Sequence, residues 1–288
     1  MQLSLFIKRE DRIHPLISGN KYRKLKYNLK EAKNTGFETL ITFGGAYSNH
    51  IAAMAYAGKV NRFKTIGVIR GEELFQKWQA NPTLKLAHDH GMRFKFVSRE
   101  AYRSKSSSAF RNELEHEFGR YYEVPEGGTN RWAIKGCEEI LGPEDATFDV
   151  ICCPVGTGGT LAGISNTARM HQQILGFPAL KGDFLQEDIR SFAPKKNWTL
   201  QTDYHFGGYA KVTRVLIDFV NDFHRSTGIP LDPVYTGKMI FGLLDMIKGN
   251  HFKAGTRILA VHTGGLQGIH GMNRVLRQRN LPLIDLYE

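Results

Sequence analysis

No run of apolar residues in this 288-residue chain approaches the ~20 that a membrane-spanning helix needs. The opening Met1-Gln-Leu-Ser-Leu-Phe-Ile-Lys-Arg-Glu10 is too short, and too soon charged, for a secretory signal. Cysteine is scarce: Cys137 and the adjacent pair Cys152 and Cys153 are all there is. Neither a disulfide framework nor a spaced zinc site can be built from them, so a reducing, cytoplasmic setting and no metal are expected. Acidic residues are outnumbered, 28 against 39 Lys and Arg, which leaves a formal charge of +11. An excess of this sign would suit nucleic acid through counterion release. Here, however, the basic residues are spread along the chain, and the groups Lys21 to Lys30, Arg99 to Arg111 and Lys195-Lys196 lack a nucleic-acid-binding motif. The field favours small anions instead.

Low-complexity linkers and internal repeats are also missing. What remains, 41% apolar and 23% charged residues, is the composition of an ordinary globular protein with a sizeable core. Apolar runs alternate with helical stretches. Thr39 to Phe43 precedes a helix from about Asn49. Thr65 to Ile69 precedes one around Thr83 to His90, and Arg93 to Val97 one around Ser108 to Phe118. Asp149 to Cys153 follows with its own helix, and Arg257 to Val261 lies near the end. This alternation predicts an α/β architecture with parallel sheets covered on both faces. A small domain over residues 37–142, inserted between 1–36 and 143–288 of a larger one, accommodates the units.

In open parallel sheets ligands bind beyond the carboxyl ends of the strands, so the loops there are where chemistry is sought. After Cys153 comes Pro-Val-Gly156-Thr157-Gly158-Gly159-Thr160, a glycine-rich turn feeding a helix. Its amides, hydroxyls and helix amino end suit a phosphate, without the Gly-Lys-Ser/Thr ending of a P-loop. After Phe43 comes Gly44-Gly45-Ala-Tyr-Ser48-Asn49-His50, in which Ser48 or Asn49 is either a helix cap or an oxyanion ligand. After Val261 comes His262-Thr263-Gly264-Gly265-Leu-Gln-Gly268, and upstream lies Asp232-Pro-Val-Tyr235-Thr236-Gly237-Lys238-Met239.

The segment Ser18-Gly-Asn-Lys-Tyr-Arg-Lys-Leu25 opens an amphipathic helix whose apolar face is Tyr22, Leu25, Leu29 and Ala32, ending near Gly36. The positive end of the helix dipole and the neighbours Arg23, Lys24 and Lys26 disfavour an ammonium at Lys21. That is the setting of a Schiff-base lysine, although a solvated basic first turn reads the same way in isolation.

Taken in order, these motifs resemble the 1-aminocyclopropane-1-carboxylate deaminase/D-cysteine desulfhydrase family, pyridoxal-phosphate enzymes of the tryptophan-synthase β-like fold, from about Leu5 to Gly268. The resemblance implies two open, mainly parallel sheets with the cofactor, pyridoxal 5'-phosphate, in the cleft between a large and a small domain. It implies that Lys21 bonds the cofactor aldehyde and serves as the catalytic base. Lys24 and the loop of Gly156, Thr157, Gly158, Gly159 and Thr160 would hold the phosphate. Asn49 would meet the phenolic oxygen. Ser48, Asn49 and His50 would face the carboxylate of a small amino-acid substrate, with Tyr235 and, as a weaker match, Tyr209 nearby; Ser48 and Tyr235 share the catalytic work with Lys21. A homodimer is implied as well.

Two positions bear on the reaction. The deaminase branch typically carries Glu after the tyrosine matched to Tyr235 and an apolar residue after the histidine matched to His262; this chain has Thr236 and Thr263. Neutral hydroxyls near the pyridine nitrogen leave a milder electron sink than a carboxylate would, which suits β-elimination from D-cysteine better than ring opening. Ring opening of the cyclopropane substrate and cofactor binding without turnover stand as alternatives. The start, directly on the strand Leu3 to Lys8, and the stretch Phe177 to Trp198 read as shorter than in the family.

Overall fold

The computed structural model describes residues 3–182 and 185–285. Strand β1 (Ser4–Lys8) leads through a short turn to α1 (Asn20–Asn34). Four strands then build the smaller sheet: β2 (Thr39–Gly44), β3 (Lys64–Arg70), β4 (Met92–Val97) and β5 (Tyr122–Val124). They are linked by α2 (Asn49–Val60), α3 (Pro82–Asp89), α4 (Arg99–Arg103) and α5 (Ser108–Phe118). Helix α6 (Arg131–Cys137) returns the chain to the larger sheet, where β6 (Val150–Val155), β7 (Gln173–Pro178), β8 (Trp198–Leu200) and β9 (Arg257–Val261) join β1. Helices α7 (Gly159–Thr167), α8 (Leu185–Phe192), α9 (Arg214–Thr227), α10 (Thr236–Lys248) and α11 (Gly268–Gln278) complete it.

The sheets run β1-β9-β6-β7-β8 and β4-β3-β2-β5, and every neighbouring pair is parallel. Parallel strands buried on both faces account for the continuous apolar runs. Alternation sends Ile258 and Ala260 of β9 into one core and Leu259 and Val261 into the other. The small sheet is divided likewise, Leu40 on one side and Ile41 with Phe43 on the other. The expected two-sheet α/β architecture is therefore present. β5, β7 and β8, which the sequence did not announce, complete the sheets. The stretch from Phe177 to Trp198 holds the end of β7, helix α8 and the start of β8, with residues 183 and 184 outside the described residues. No helix among the described residues is long and apolar enough to cross a membrane.

Helix α1 binds the two sheets together. Leu25 and Ala32 sit in the small-sheet core with Leu40 and Ile51, while the opposite side of α1 lies on α6, whose Ile134 and Cys137 belong to the core of the larger sheet. The helices touch backbone to backbone, because a Cβ at Gly136 would lie 1.8 Å from the Arg23 carbonyl oxygen. Arg23 closes the joint with two bonds to Glu10, at 2.8 and 2.9 Å. Gly136→Ala is expected to force these helices apart and to cost about 1–3 kcal/mol. A urea denaturation series checks this, with a lower midpoint expected at an unchanged slope.

Candidate active site

All strands of each sheet point the same way, so the loops after β2, β5, β6 and β9 gather at carboxyl-terminal edges, and α1 starts among them. Its start is fixed by Gly19, whose φ of +60° belongs to the left-handed region and whose Cβ, if present, would lie 1.9 Å from the Thr263 carbonyl oxygen. That oxygen accepts the Asn20 amide at 3.2 Å. Lys21 Nζ donates to Asn20 Oδ1 at 3.0 Å, and Asn20 Nδ2 donates to Thr160 Oγ1 at 2.9 Å, which ties the lysine to the start of α7. Burial lowers the Lys21 pKa from 10.5 to about 7, with a further push from the Lys24 charge; Cys137 and Asp232 act in the opposite sense. Arg23 and Lys26, expected to contribute, are turned away and paired: Arg23 with Glu10, Lys26 with Glu139 at 2.6 Å.

One turn on, Lys24 is only 3% exposed and donates to Gly127 O at 3.0 Å, Thr129 Oγ1 at 2.9 Å and Thr157 Oγ1 at 3.3 Å. All of these are neutral, and no carboxylate pairs with it among the described residues. A buried ammonium without a counter-charge is an electrostatic deficit that an anion fills. The loop before α7 is shaped for that anion. Gly158 has φ +81°, and a Cβ at Gly159 would lie 2.8 Å from Thr129 Oγ1 and 3.3 Å from Lys24 Nζ. The amino end of α7 thus faces the ammonium with bare backbone. Thr157 joins the cradle, bonded to Thr129 at 2.5 Å, whereas Thr160 is turned toward Asn20.

Across the cleft, Ser48 caps α2, its Oγ accepting the Ile51 amide at 3.3 Å. Asn49 lies over the loop after β9, because a Cβ at Gly265 would be 3.1 Å from its Nδ2. His50 is buried, and its Nε2 lies 2.9 Å from Thr42 Oγ1, whose own hydrogen goes to Val124 O at 2.7 Å. Nε2 must then carry the imidazole proton. Nδ1 is a buried lone pair with no partner, and burial together with Lys21 and Lys24 holds the ring's pKa well below its ordinary value. A neutral acceptor does not bind a carboxylate. The side chain of His50 suits a donor, so anion binding on this loop falls to Ser48 and to the first amides of α2.

Tyr235 precedes α10, with its ring edge against Gly156: a Cβ there would be 3.2 Å from the ring. Tyr209 meets it edge to face at 6.2 Å between centroids. The loop bearing Tyr209 is pinned by Lys238, 1% exposed, which donates to His205 O at 2.9 Å and Gly208 O at 2.8 Å. Thr236 is turned inward: Oγ1 donates to Asp232 Oδ1 at 2.7 Å and accepts the Asp232 amide at 2.9 Å. Asp232 also accepts the amides of Val234, Tyr235 and Thr236. The adjoining loop after β9 brings Thr263, whose hydroxyl has no hydrogen-bond partner among the described residues, and His262, which bonds Pro230 O at 2.7 Å.

The structure thus gathers Lys21, Lys24, Ser48, Asn49, His50, the 156–160 loop, Tyr209, Tyr235 and Thr263 around one cleft, with Thr236 just behind. Sequence reasoning missed Asn20, Thr129, Asp232 and Lys238. Thr129 had a signal, the glycine turn Pro125-Glu-Gly-Gly-Thr129, but the strand before it is only three residues long. Asp232 had the signature of a cap before α10.

Comparison with known proteins gives the family. The family model described as "Pyridoxal-phosphate dependent enzyme" matches residues 1–264. The chain is 34% identical to a bifunctional D-cysteine desulfhydrase/1-aminocyclopropane-1-carboxylate deaminase, mitochondrial, of Arabidopsis thaliana, over 92% of this chain and 73% of that protein. It is 26% identical to a D-cysteine desulfhydrase of Yersinia enterocolitica, over 91% and 86% respectively. Among solved structures, an ACC deaminase homologue superposes with a TM-score of 0.79 at 29% identity, covering 95% of this chain and 88% of that one. The residues present fit the cofactor. Lys24 with the bare turn at Gly158 and Gly159 suits its phosphate, and Lys21 is an amine prepared to bond an aldehyde.

Two outcomes follow from this geometry. In the cofactor-free protein the Lys21 amine is already half neutral near pH 7, so its reaction with an aldehyde reagent rises between about pH 6 and 8. Ordinary lysines rise near 10.5, and peptide mapping of the modified lysine checks the difference. Lys238→Met frees the 205–209 loop and leaves two carbonyl groups without their donor. It is expected to raise KM for the amino acid by roughly tenfold, equivalent to ~1.4 kcal/mol, with cofactor affinity retained.

Proposed function

The chain belongs to the pyridoxal-phosphate dependent enzymes, among the 1-aminocyclopropane-1-carboxylate deaminases and D-cysteine desulfhydrases, and on that premise we propose that it catalyses β-elimination from a small amino acid. The substrate in this reading is D-cysteine, which with water gives pyruvate, ammonia and hydrogen sulfide. The observation that carries it is the turn 232–236. Its carboxylate, Asp232, is occupied by the amides of Val234, Tyr235 and Thr236 and by the Thr236 hydroxyl. Of the positions matched to the pyridine side of the cofactor, Thr263 carries a neutral hydroxyl and Thr236 is turned inward onto Asp232. A ring without a charged partner withdraws electrons mildly, which suffices when a thiolate carries charge away from Cβ.

Bound in this cleft, pyridoxal phosphate supplies an electron sink for the charge left when a bond to the substrate α-carbon breaks. Lys24, Thr129, Thr157 and the amides of the 156–160 loop would hold its phosphate, Lys21 Nζ would bond its aldehyde, and Asn49 would meet its phenolic oxygen. Ser48 and the first amides of α2 orient the substrate carboxylate. Lys21 Nζ, with its pKa lowered to about 7, is the amine that would take the α-proton. Burial and its neighbour Tyr209 push the Tyr235 phenol's pKa up, so it stays protonated and acts as a donor. Its hydroxyl would donate a hydrogen bond to the departing thiolate, which takes its proton from water.

A second reading, opening of the cyclopropane ring to 2-oxobutanoate and ammonia, is supported by the double name of the Arabidopsis relative. The homodimer that the resemblance implies and the cytoplasmic setting expected from the composition belong to the same proposal. Purified protein supplied with cofactor is expected to form pyruvate from D-cysteine; 2-oxobutanoate alone, from the cyclopropane substrate, overturns the preferred reading. Lys21→Ala should lose the borohydride-reducible near-visible absorption together with activity. Lys24→Met should weaken cofactor binding at least tenfold, as expected for loss of a charged bond to phosphate.

A further inference from the structure

A cavity of about 490 Å³ opens beside the cleft and shares Gly45 and Ala46 with the loop that carries Ser48. Its lining is unusually cationic: Arg70, Arg99, Arg103 and Lys105 against Glu73 and Glu126. The two acids are committed, Glu73 to Arg99 at 2.6 Å and Glu126 to Lys105 at 3.2 Å. Arg70 and Arg103 have no acidic partner among the described residues. Arg70 stands at the inner end, since a Cβ at Gly45 would lie 3.5 Å from its Nη2, and its guanidinium covers the Tyr102 ring at 5.5 Å.

Tyr102 is the second and independent sign. Its side chain is 2% exposed, and its hydroxyl has no hydrogen-bond partner. The ring is fixed on the far side by Phe43, edge to face at 6.4 Å, and Lys105 also lies over it at 4.7 Å. Burial, and after it the neighbouring Glu126 carboxylate, push the phenol's pKa up. A buried O–H without an acceptor is costly, and an anion beside two unmatched guanidinium groups removes that cost. A merely solvated basic rim would not bury a phenol with its hydroxyl unpaired. The cavity also lies within electrostatic reach of Tyr209, on which Arg70 and Glu126 act in opposite senses.

We infer that this cavity is a subsite for an anionic group at the end of the substrate's β-substituent, a carboxylate or phosphate read by Arg70 and Arg103 with the Tyr102 hydroxyl. The inference rests on the β-elimination reading and narrows its substrate class: D-cysteine is then a minimal substrate that leaves the subsite empty. In the elimination the Cβ–S or Cβ–O bond breaks with its electron pair on the departing atom. Water then releases ammonia and pyruvate, and the leaving group departs as a thiol acid or as inorganic phosphate. The guanidinium groups hold the anion before, during and after that bond breaks, so their effect falls mainly on KM.

S-carboxymethylcysteine and S-carbamoylmethylcysteine differ only in charge at the end of the β-substituent, and O-phosphoserine presents the phosphate; each is tested as both enantiomers with the holoenzyme. The carboxymethyl compound is expected to exceed the carbamoylmethyl one in kcat/KM by about tenfold or more, mostly through KM, and Arg70→Gln or Arg103→Gln should bring that ratio close to one. O-phosphoserine shows whether phosphate or carboxylate is preferred, and preference for either supports the subsite. Calorimetric titration with succinate and with succinamate, which needs no turnover, should show the same preference for the dianion. Turnover of D-cysteine with no charge discrimination in either assay overturns the subsite and leaves elimination standing. Preference for succinate that Arg70→Gln abolishes, in a protein that eliminates nothing, supports the subsite while the elimination reading fails.

Discussion

Two lysines one turn apart on α1, both facing the cleft and neither paired with an acid, are the constraint around which the molecule is arranged. Lys24 sits among two hydroxyls and a carbonyl group with its pKa lowered by burial; Lys21 lies beside it, lowered by burial and by the Lys24 charge. The pair can exist there only because α1 is fixed independently of any charge. Gly19 presses on the Thr263 carbonyl, Gly136 admits the backbone of Arg23, and Leu25 and Ala32 are locked in the small-sheet core. Packing energy holds what electrostatics alone would expel. An anion bound at Lys24 therefore stabilises the folded state as well as filling a site, since it relieves a deficit that the unfolded chain does not have.

The distribution of acids around the cleft completes this picture. Glu10 is spent on Arg23, Glu139 on Lys26, Glu126 on Lys105, and Asp232 on the first amides of α10. Each of these carboxylates satisfies a local demand and none pairs with Lys24, while Asp232 acts on Lys21 from a distance. This is how a chain with 28 acidic residues keeps a cleft that attracts anions. The same accounting singles out Arg70 and Arg103, whose nearest acids are already taken.

Much of this was legible beforehand, and the reasons differ by residue. The runs 39–43, 65–69, 93–97 and 257–261 became strands nearly as read because buried parallel strands need continuous apolar sequence, and Ser48, one of the two residues read as a possible cap, does cap α2. Lys21 and the 156–160 loop stood out because glycine turns and helix starts have local signatures. The cause of the lowered Lys21 pKa did not: it lies in burial, which no local pattern records, while Arg23 and Lys26 proved to be paired elsewhere. Thr129 was invisible because its partner Lys24 is 105 residues away. Lys238 read as part of a motif, yet its function is to hold the carbonyl groups of a loop 30 residues upstream.

Under the proposed function, that last contact is where selectivity would be built. The phosphate end of the cleft is set by glycine turns and helix starts, which are rigid because their conformation is fixed within a few residues. The opposite end is set by Tyr209 on an irregular segment that includes left-handed Phe206 and Ala210, conformations that are unfavourable for side chains of this kind. Such a segment does not hold itself; a single buried ammonium at Lys238 gathers two of its carbonyl groups and so sets the position of the tyrosine. Chemistry common to a cofactor can therefore rest on the rigid end while substrate choice varies at the pinned loop and the cationic cavity beside it. A change of substrate would require rebuilding only the second, without disturbing the lysines on α1.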